Sequence, residues 1–437
     1  MRVYLQSLGC RLNYAEMTAL GRQLTGVGHE LAASVAEADL CVLNSCAVTG
    51  EAARQSRQLA RQLARANPAG RFIITGCYAT LEGEAVAQLP NVALVVGNTR
   101  KDELLALVQE LDADCKLQTA NRSPQSAICN PQSVSRTRAF VKVQDGCRHR
   151  CTFCIVTVAR GAERSRPVAE VVAEVNALHA EGCQEVVLTA VHLGGYGADL
   201  GSELTDLVAG LLAETRIPRL RLSSLEPFDL APEFFDLWPQ SAGRLMPHLH
   251  LPAQSGSDAV LRRMARRNRV ADFEALVSAA RAAIPGLTVT TDLIAGFPGE
   301  TADDFEQTVA FARRVGFAHL HIFPFSARAG TAAARFSGQT AAAERKRRAR
   351  ILGDLDLELG RAARESFVGQ ERSVLWENAE ESYPVPSNGT VTWTGLTDNY
   401  LRARTSAAAG VDLHNRITRT RLLRLDGDVL WGSIAED

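Results

Sequence analysis

No apolar run in this chain approaches the roughly 20 residues that a bilayer-spanning helix needs; segments such as FIIT at 72–75 have the length of a buried strand. A membrane span is therefore not expected. The N-terminal MRVYLQSLGC lacks a charged n-region, an apolar h-region and a small-residue cleavage site, so the chain is expected in the cytosol. An excess of one charge is missing too. With 48 Lys and Arg against 49 Asp and Glu, the net charge of −1 supplies no overall attraction to nucleic acid, and any RNA binding must come from local patches or shape. No solenoid-type repeat is present, and 46% hydrophobic with 22% charged residues excludes collagen-like, disordered and disulfide-scaffold classes.

What remains is a globular chain of 437 residues, long enough for about three domains. From residue 2 to about 111, short apolar runs alternate with helix-like stretches in a βαβα rhythm, which predicts a doubly wound, flavodoxin-like α/β domain over 1–112. A polar Ser-, Asn-, Gln- and Pro-bearing stretch, 113–132 at its centre, reads as a linker. A second alternating array follows within 133–366: strands at 140–144, 185–191, 219–224, 248–251, 287–294 and 318–325 with helices between them, the pattern of a partial or full (β/α) barrel. Beyond the helix-like stretch 340–366 the rhythm becomes all-β, predicting a small barrel over 367–437.

Ten cysteines in a reducing compartment point to metal ligands or catalytic thiols rather than disulfides. Cys10, Cys46 and Cys77, in LGC, NSC and TGC, each lie just past one of the first three predicted strands. The carboxyl ends of such strands share one edge, so three thiolates converge there with one ligand position left open, as an iron–sulfur cluster permits. The competing reading is three small buried hydrophobes. The loop DGCRHRCTFC sets Cys147, Cys151 and Cys154 at C-x3-C-x2-C spacing directly after the first barrel strand, on the face where barrels carry their active sites. Three thiolates suit a four-iron cluster with one free iron; zinc competes, although it favours four ligands and His149 is poorly placed to complete a tetrahedron.

With Phe153 in its aromatic place, this loop resembles the signature of radical S-adenosylmethionine enzymes. That resemblance implies a 4Fe–4S cluster whose free iron binds the methionine moiety, so that reduction releases a 5′-deoxyadenosyl radical, with Phe153 near the adenine. Together with LGC, NSC, GCYA and SRP at 165–167, the three-part organisation resembles the methylthiotransferases, whose terminal barrel is a TRAM domain. Segments 188–197 (LTAVHLGGYG), 221–227 (RLSSLEP), 248–258 (HLHLPAQSGSD), 290–301 (TTDLIAGFPGET) and 321–334 (HIFPFSARAGTAAA) are most similar to the subfamily acting on threonylcarbamoyladenosine in tRNA; the other two subfamilies act on isopentenyladenosine in tRNA and on an aspartate of a ribosomal protein. Ala253 departs from that pattern, which has a large residue before QSG.

The resemblance implies two 4Fe–4S clusters. Cys10, Cys46 and Cys77 hold one that is methylated by a first S-adenosylmethionine, and Cys147, Cys151 and Cys154 hold another that cleaves a second. It also implies a methylthio group added at carbon-2 of N(6)-threonylcarbamoyladenosine beside the anticodon, with the tRNA anticodon stem-loop and an electron donor such as flavodoxin or ferredoxin as partners. The chemistry is consistent: a positioned acid or base of ordinary pKa cannot remove the unactivated C–H of an adenine, and cofactors carry such steps.

His192, Ser224, Glu226, Gln254 and Asp292 fall at predicted carboxyl ends of barrel strands; Glu226 and Gln254 are the cofactor-binding candidates. RRMARRNR at 262–269 and ERKRRAR at 344–350 are either phosphate-binding runs or solvated helix faces. Trp393 and Tyr400 either stack on bases or fill the terminal barrel. Cys41 and Cys183 read as core, and Cys115 and Cys129 carry no assigned role. From a different class, a zinc-dependent RNA-binding protein without catalysis fits the cysteines alone.

Overall fold

A computed structural model describes residues 1–118, 137–380 and 389–435. Two compact units are formed: one from the described part of Met1–Val134 with Asp145–Arg164 and Ser326–Ala334, the other from the described parts of the remainder. The loop 145–164 thus packs as part of the N-terminal unit, and the terminal barrel packs as part of the central one, a division that differs from the three consecutive domains the composition suggests.

In the first unit, β1 (Arg2–Ser7), α1 (Arg11–Gly26), β2 (Glu30–Leu31), β3 (Leu40–Ser45), α2 (Gly50–Ala66), β4 (Arg71–Gly76), α3 (Cys77–Leu81), α4 (Gly83–Ala87), β5 (Val92–Val96) and α5 (Leu104–Gln118) follow in order. All strands run parallel in the order β2-β1-β3-β4-β5, the flavodoxin arrangement. β3 is buried on both faces, as a central strand covered by helices must be. Its alternate residues feed two cores, Cys41 and Leu43 with Phe72 and Ile74 on one side, Val42 with Val3, Ile73 and Val96 on the other. Thr49 caps α2 by accepting from the Ala52 N–H at 3.1 Å. α5 stays helical through Gln118, correcting the start of the linker: Leu, Ala, Lys and Gln favour helix, and no Gly or Pro intervenes before Pro124. Positions 119–132 of that expected linker, with Cys129, lie outside the described residues.

The chain continues through β6 (Arg138–Asp145), α6 (Val156–Arg160), β7 (Arg164–Ser165), α7 (Val168–Ala180), β8 (Glu185–Ala190), α8 (Leu204–Glu214), β9 (Arg219–Leu222), α9 (Leu237–Gln240), β10 (His248–His250), α10 (Asp258–Arg263), α11 (Val270–Ala283), β11 (Thr288–Ala295), α12 (Ala302–Val315), β12 (His319–Pro324) and α13 (Ala342–Glu365). Parallel ladders join β6-β8-β9 and β10-β11-β12, and single bridges Leu220–Leu245 and Ser224–His250 carry the sheet across between them. The result is an open, partial (β/α) barrel around one core that includes Val141, Leu188, Leu220, Leu249, Leu293 and Leu320. β13 (Glu371–Glu380), β14 (Thr390–Thr397), β15 (Arg402–Ala408), β16 (Ile417–Asp426) and β17 (Val429–Ile434) close into a five-stranded barrel. Closure leaves no strand edge open.

Among the described residues, no helix is long and apolar enough to cross a membrane.

Candidate cluster-binding site

Adjacent strands β1, β3 and β4 end at Ser7, Ser45 and Gly76, so Cys10, Cys46 and Cys77 all sit at the carboxyl edge of one sheet. The approach is close. Gly9 has φ of 110°, and a Cβ there would lie 2.6 Å from Cβ and 2.9 Å from Sγ of Cys46, so only glycine lets the Cys10 loop press against Cys46. Cys46 is buried, and burial pushes its thiol pKa up, with the neighbouring Cys77 and Cys10 adding to the rise. Its N–H donates to Ser56 Oγ at 3.0 Å, and Asn98 Nδ2 donates to Cys77 Sγ at 3.6 Å. Cys41 and Cys183 differ: both are core residues, and burial lifts the Cys41 thiol to about 12, where it stays protonated and inert.

Cys147, Cys151 and Cys154 lie half-buried on the segment 145–164 of the same unit. Gly146 turns the chain off β6 with φ of 77°; a Cβ there would meet Ala162 O at 1.9 Å, a backbone clash that no side chain could relieve. The loop is held by Cys147 N–H to Gly161 O at 3.1 Å, Cys154 N–H to Cys151 O at 3.0 Å and Ala333 N–H to Thr152 O at 2.9 Å. Backbone N–H groups also point at sulfur, His149 to Cys147 Sγ at 3.4 Å and Val156 to Cys154 Sγ at 3.5 Å.

A buried polar network ties these loops together. Arg160 donates from Nη1 to Glu16 Oε1 at 3.1 Å and Asp145 Oδ1 at 2.9 Å, and from Nη2 to Asn13 Oδ1 at 2.7 Å. Asn13 donates to Leu8 O at 2.8 Å and Ser45 O at 3.2 Å, Lys101 donates to Glu16 Oε2 at 2.5 Å, and Asn98 donates to Ala159 O at 2.7 Å. Burial works against the Arg160 charge, yet Glu16 and Asp145, with Cys77 and Cys10, hold the guanidinium well above its ordinary pKa. Burial pulls Lys101 down, with Glu16 opposing. None of these residues was singled out from the sequence. Glu16 carried a signal, since it falls four residues from both Leu12 and Leu20 on the apolar stripe of α1, where a carboxylate demands a partner.

In the second unit, His192, Ser224, Glu226 and Gln254 follow the ends of their strands, whereas Asp292 lies within β11. His192 Nε2 lies 2.5 Å from Asp229 Oδ2, His250 Nε2 lies 3.2 Å from Asp292 Oδ1, and Ser224 bridges His250. Gln254 has φ of 69°, held by its N–H on Asp292 O at 2.8 Å and its carbonyl accepting from the Ile294 N–H at 2.9 Å. A non-glycine residue in that region marks a place the fold over-determines. Glu226, after β9, accepts from Arg266 Nη1 at 2.9 Å, while Arg266 also donates to Pro252 O at 2.9 Å. Ala253 is buried, its N–H donating to Thr291 Oγ1 at 2.9 Å. Much of each basic run is spent internally: Arg266 on Glu226, and Arg348 on Glu300 at 2.6 Å and Glu344 at 2.7 Å. Arg267, Arg269, Lys346 and Arg350 remain exposed. Trp393 is barrel core, and Tyr400 stacks on His248 at 4.7 Å beneath the Arg221 guanidinium.

Residues 141–312 match the family model of the Radical SAM superfamily, and residues 2–97 match that of Uncharacterized protein family UPF0004. The chain is 33% identical to the Threonylcarbamoyladenosine tRNA methylthiotransferase MtaB of Bacillus subtilis (strain 168), over 97% of this chain and 94% of that protein. The chain belongs to the methylthiotransferase family of radical SAM enzymes. It is also 34% identical to the tRNA-2-methylthio-N(6)-dimethylallyladenosine synthase of Cereibacter sphaeroides (strain ATCC 17025 / ATH 2.4.3), over 86% of this chain and 88% of that one. In fold it is similar to the radical S-adenosylmethionine methyltransferase TsrM from Kitasatospora setae, with a TM-score of 0.55, 16% identity and 74% of each chain covered.

A radical SAM methylthiotransferase carries a 4Fe–4S cluster with S-adenosylmethionine, and the donor set fits. Three free thiols on one loop, with backbone N–H groups pointing at the sulfurs of Cys147 and Cys154, are donors that such a cluster takes.

Proposed function

We propose that this chain adds a methylthio group to carbon-2 of N(6)-threonylcarbamoyladenosine next to the anticodon in tRNA, using two 4Fe–4S clusters and two molecules of S-adenosylmethionine. Cys147, Cys151 and Cys154 would hold the cluster that binds S-adenosylmethionine, and Cys10, Cys46 and Cys77 the second. The observation that carries the reading is the gathering of three cysteine loops at one sheet edge, tied by Arg160 and Asn98 to the loop bearing the other three. When bound, the clusters supply the one-electron chemistry that an unactivated C–H bond needs.

The chain's own residues set the frame. Gly9 and Gly146 give the cysteine loops their turns, N–H donors face the sulfurs, and the buried network ties the loops together. Phe153, within the second loop, and Glu226 and Gln254, at strand ends, are the proposed contacts to S-adenosylmethionine. Glu226, fixed by Arg266, suits the cofactor's cationic and hydroxyl groups. Partners would be the tRNA anticodon stem-loop, met in part by the exposed Arg267, Arg269, Lys346 and Arg350, and a flavodoxin or ferredoxin as electron donor. Domain limits of 1–112, 133–366 and 367–437 are proposed from the sequence pattern, the first extended by α5 to Gln118.

The dimethylallyladenosine synthase at 34% identity supports a second reading, in which the base carries an isopentenyl group. Two measurements decide. Anaerobic reconstitution should give roughly eight irons per chain, falling to about four in a Cys147→Ala, Cys151→Ala, Cys154→Ala variant; about four in the unaltered protein would remove the second cluster and the methylthio chemistry with it. LC–MS of tRNA nucleosides from a strain lacking the gene should show loss of the methylthio form of threonylcarbamoyladenosine; loss of the isopentenyl product instead would favour the second reading.

A further inference from the structure

Arg160 stands six residues beyond Cys154, at the end of the short helix α6, and its guanidinium is almost wholly buried at 2% exposure. It reaches Asn13 and Glu16 on the helix that follows Cys10, and Asp145 at the root of the loop that carries Cys147. Asn13 extends the connection to Ser45, the residue before Cys46, and Asn98 extends it from Ala159 to Cys77. Each N-terminal cysteine is therefore linked to the second cysteine loop through no more than two side chains. Glu16 pairs with Lys101 and Arg160, and Asp145 pairs with Arg160 and, at 3.7 Å, with Arg164. A planar fork that donates in two directions suits this task, and a lysine's single ammonium does not.

We propose that Arg160 is a positioning residue: it fixes the segment bearing Cys147, Cys151 and Cys154 against the loops bearing Cys10, Cys46 and Cys77, and so controls methylthio transfer without being needed for radical formation. The inference rests on the two-cluster reading above. Radical formation would need the cluster of the second loop, an electron from the reductant and S-adenosylmethionine on its own contacts, but not the loops of Cys10, Cys46 and Cys77; transfer needs both cysteine trios held in one geometry, where a displacement of about 1 Å can cost about a hundredfold in rate.

The test uses the full chain, reconstituted without oxygen and reduced with dithionite, as wild type, Arg160→Lys and Asn13→Ala. Arg160→Lys keeps the charge and loses the two-way fork; Asn13→Ala removes one of the two α1 acceptors of Arg160, together with the link to Ser45, and no charge, and it decides the matter if the first variant does not fold. Iron content, 5′-deoxyadenosine formed without tRNA, methylthiolated nucleoside formed with tRNA, and the EPR line shape of the reduced protein are measured. The expected result is wild-type iron, 5′-deoxyadenosine within about twofold, product reduced about tenfold to a hundredfold, and an altered mutual broadening of the two cluster signals. Equal loss of 5′-deoxyadenosine and product would mean a general structural role and overturn the proposal. So would unchanged transfer with an unchanged spectrum. Four irons in the wild type would instead defeat the two-cluster reading, and this inference with it.

Discussion

Replacing Glu185 with glutamine should loosen the terminal barrel from the central core while leaving the cysteine loops unaltered. Glu185, the first residue of β8, is fully buried at the amino-terminal end of the partial barrel, between Arg138 of β6 and Arg219 of β9. Its carboxylate accepts from Arg221 Nε at 2.8 Å and Nη2 at 3.2 Å, with Arg138 at 3.0 Å and Arg219 at 3.6 Å. Those arginines continue into the terminal barrel: Arg138 to Glu377 at 2.9 Å, Arg219 to Ser373 Oγ at 2.8 Å and Leu396 O at 3.1 Å, and Arg221 over the Tyr400 ring. Burial raises the Glu185 pKa, but Arg221, Arg138 and Arg219 outweigh it and bring it from 4.5 down to about 2. That fall corresponds to about 3 kcal/mol favouring the folded, charged form. Glutamine keeps the shape but takes the counter-charge from the buried Arg219 and Arg221, while Arg138 keeps Glu377, so the expected loss is about 3 to 5 kcal/mol. Urea unfolding followed by fluorescence of Trp376 and Trp393, both in the barrel core, should move to lower urea by about 1 M or more. Because the folded pKa lies below the unfolded one, the contribution is complete above about pH 4.5 and fades as pH falls towards 2. The advantage over the variant should shrink by about half at pH 3. A midpoint unchanged at pH 7, or an advantage equally large at pH 3, would refute the reasoning.

Other outcomes follow from the same geometry. Gly146→Ala places a methyl against Ala162 O and should cost the second loop its iron, leaving about four per chain; full iron content would contradict the steric argument. Trp393→Phe should lower barrel stability while leaving tRNA affinity within about twofold, because the indole is core; weaker RNA binding at unchanged stability would assign it to base stacking instead. Arg266→Met, which releases Glu226, should raise the S-adenosylmethionine concentration for half-maximal 5′-deoxyadenosine formation by about tenfold, and an unchanged value would detach Glu226 from cofactor binding.

Apolar periodicity and the cysteine positions carried most of the fold. The short apolar runs in RVYLQS, LCVLNS and RFIITG marked the strands of the sheet whose edge bears Cys10, Cys46 and Cys77; β3 and β4 are buried almost throughout, and β1 only in part. β6, β8 to β12 and the five terminal strands were legible for the same reason, and the two-residue β7 was not. β2 was not, being a two-residue edge strand too short for any period to show, and α3 begins at Cys77 itself, without the spacer that the pattern 82–88 suggested. α5 runs to Gln118, six residues into the stretch expected as linker, because Leu, Ala, Lys and Gln favour helix.

Buried charge was the larger omission, and it has a common physical cause. Arg160 follows the apolar run IVTVA, and Glu185 opens the apolar strand EVVLTA; in both places a charge beside hydrophobic residues looks like the solvent end of an element. Each is instead buried because its partners come from segments distant in sequence: Asn13 and Glu16 for Arg160, Arg219 and Arg221 for Glu185. Single-segment reading cannot see such partners, yet leaving either charge unpaired costs several kcal/mol, so each network joins its segments in one arrangement. One network sits where three cysteine loops meet a fourth, and the other where the partial barrel meets the terminal barrel. At both junctions, apolar packing brings the elements together and buried charge determines how they are aligned.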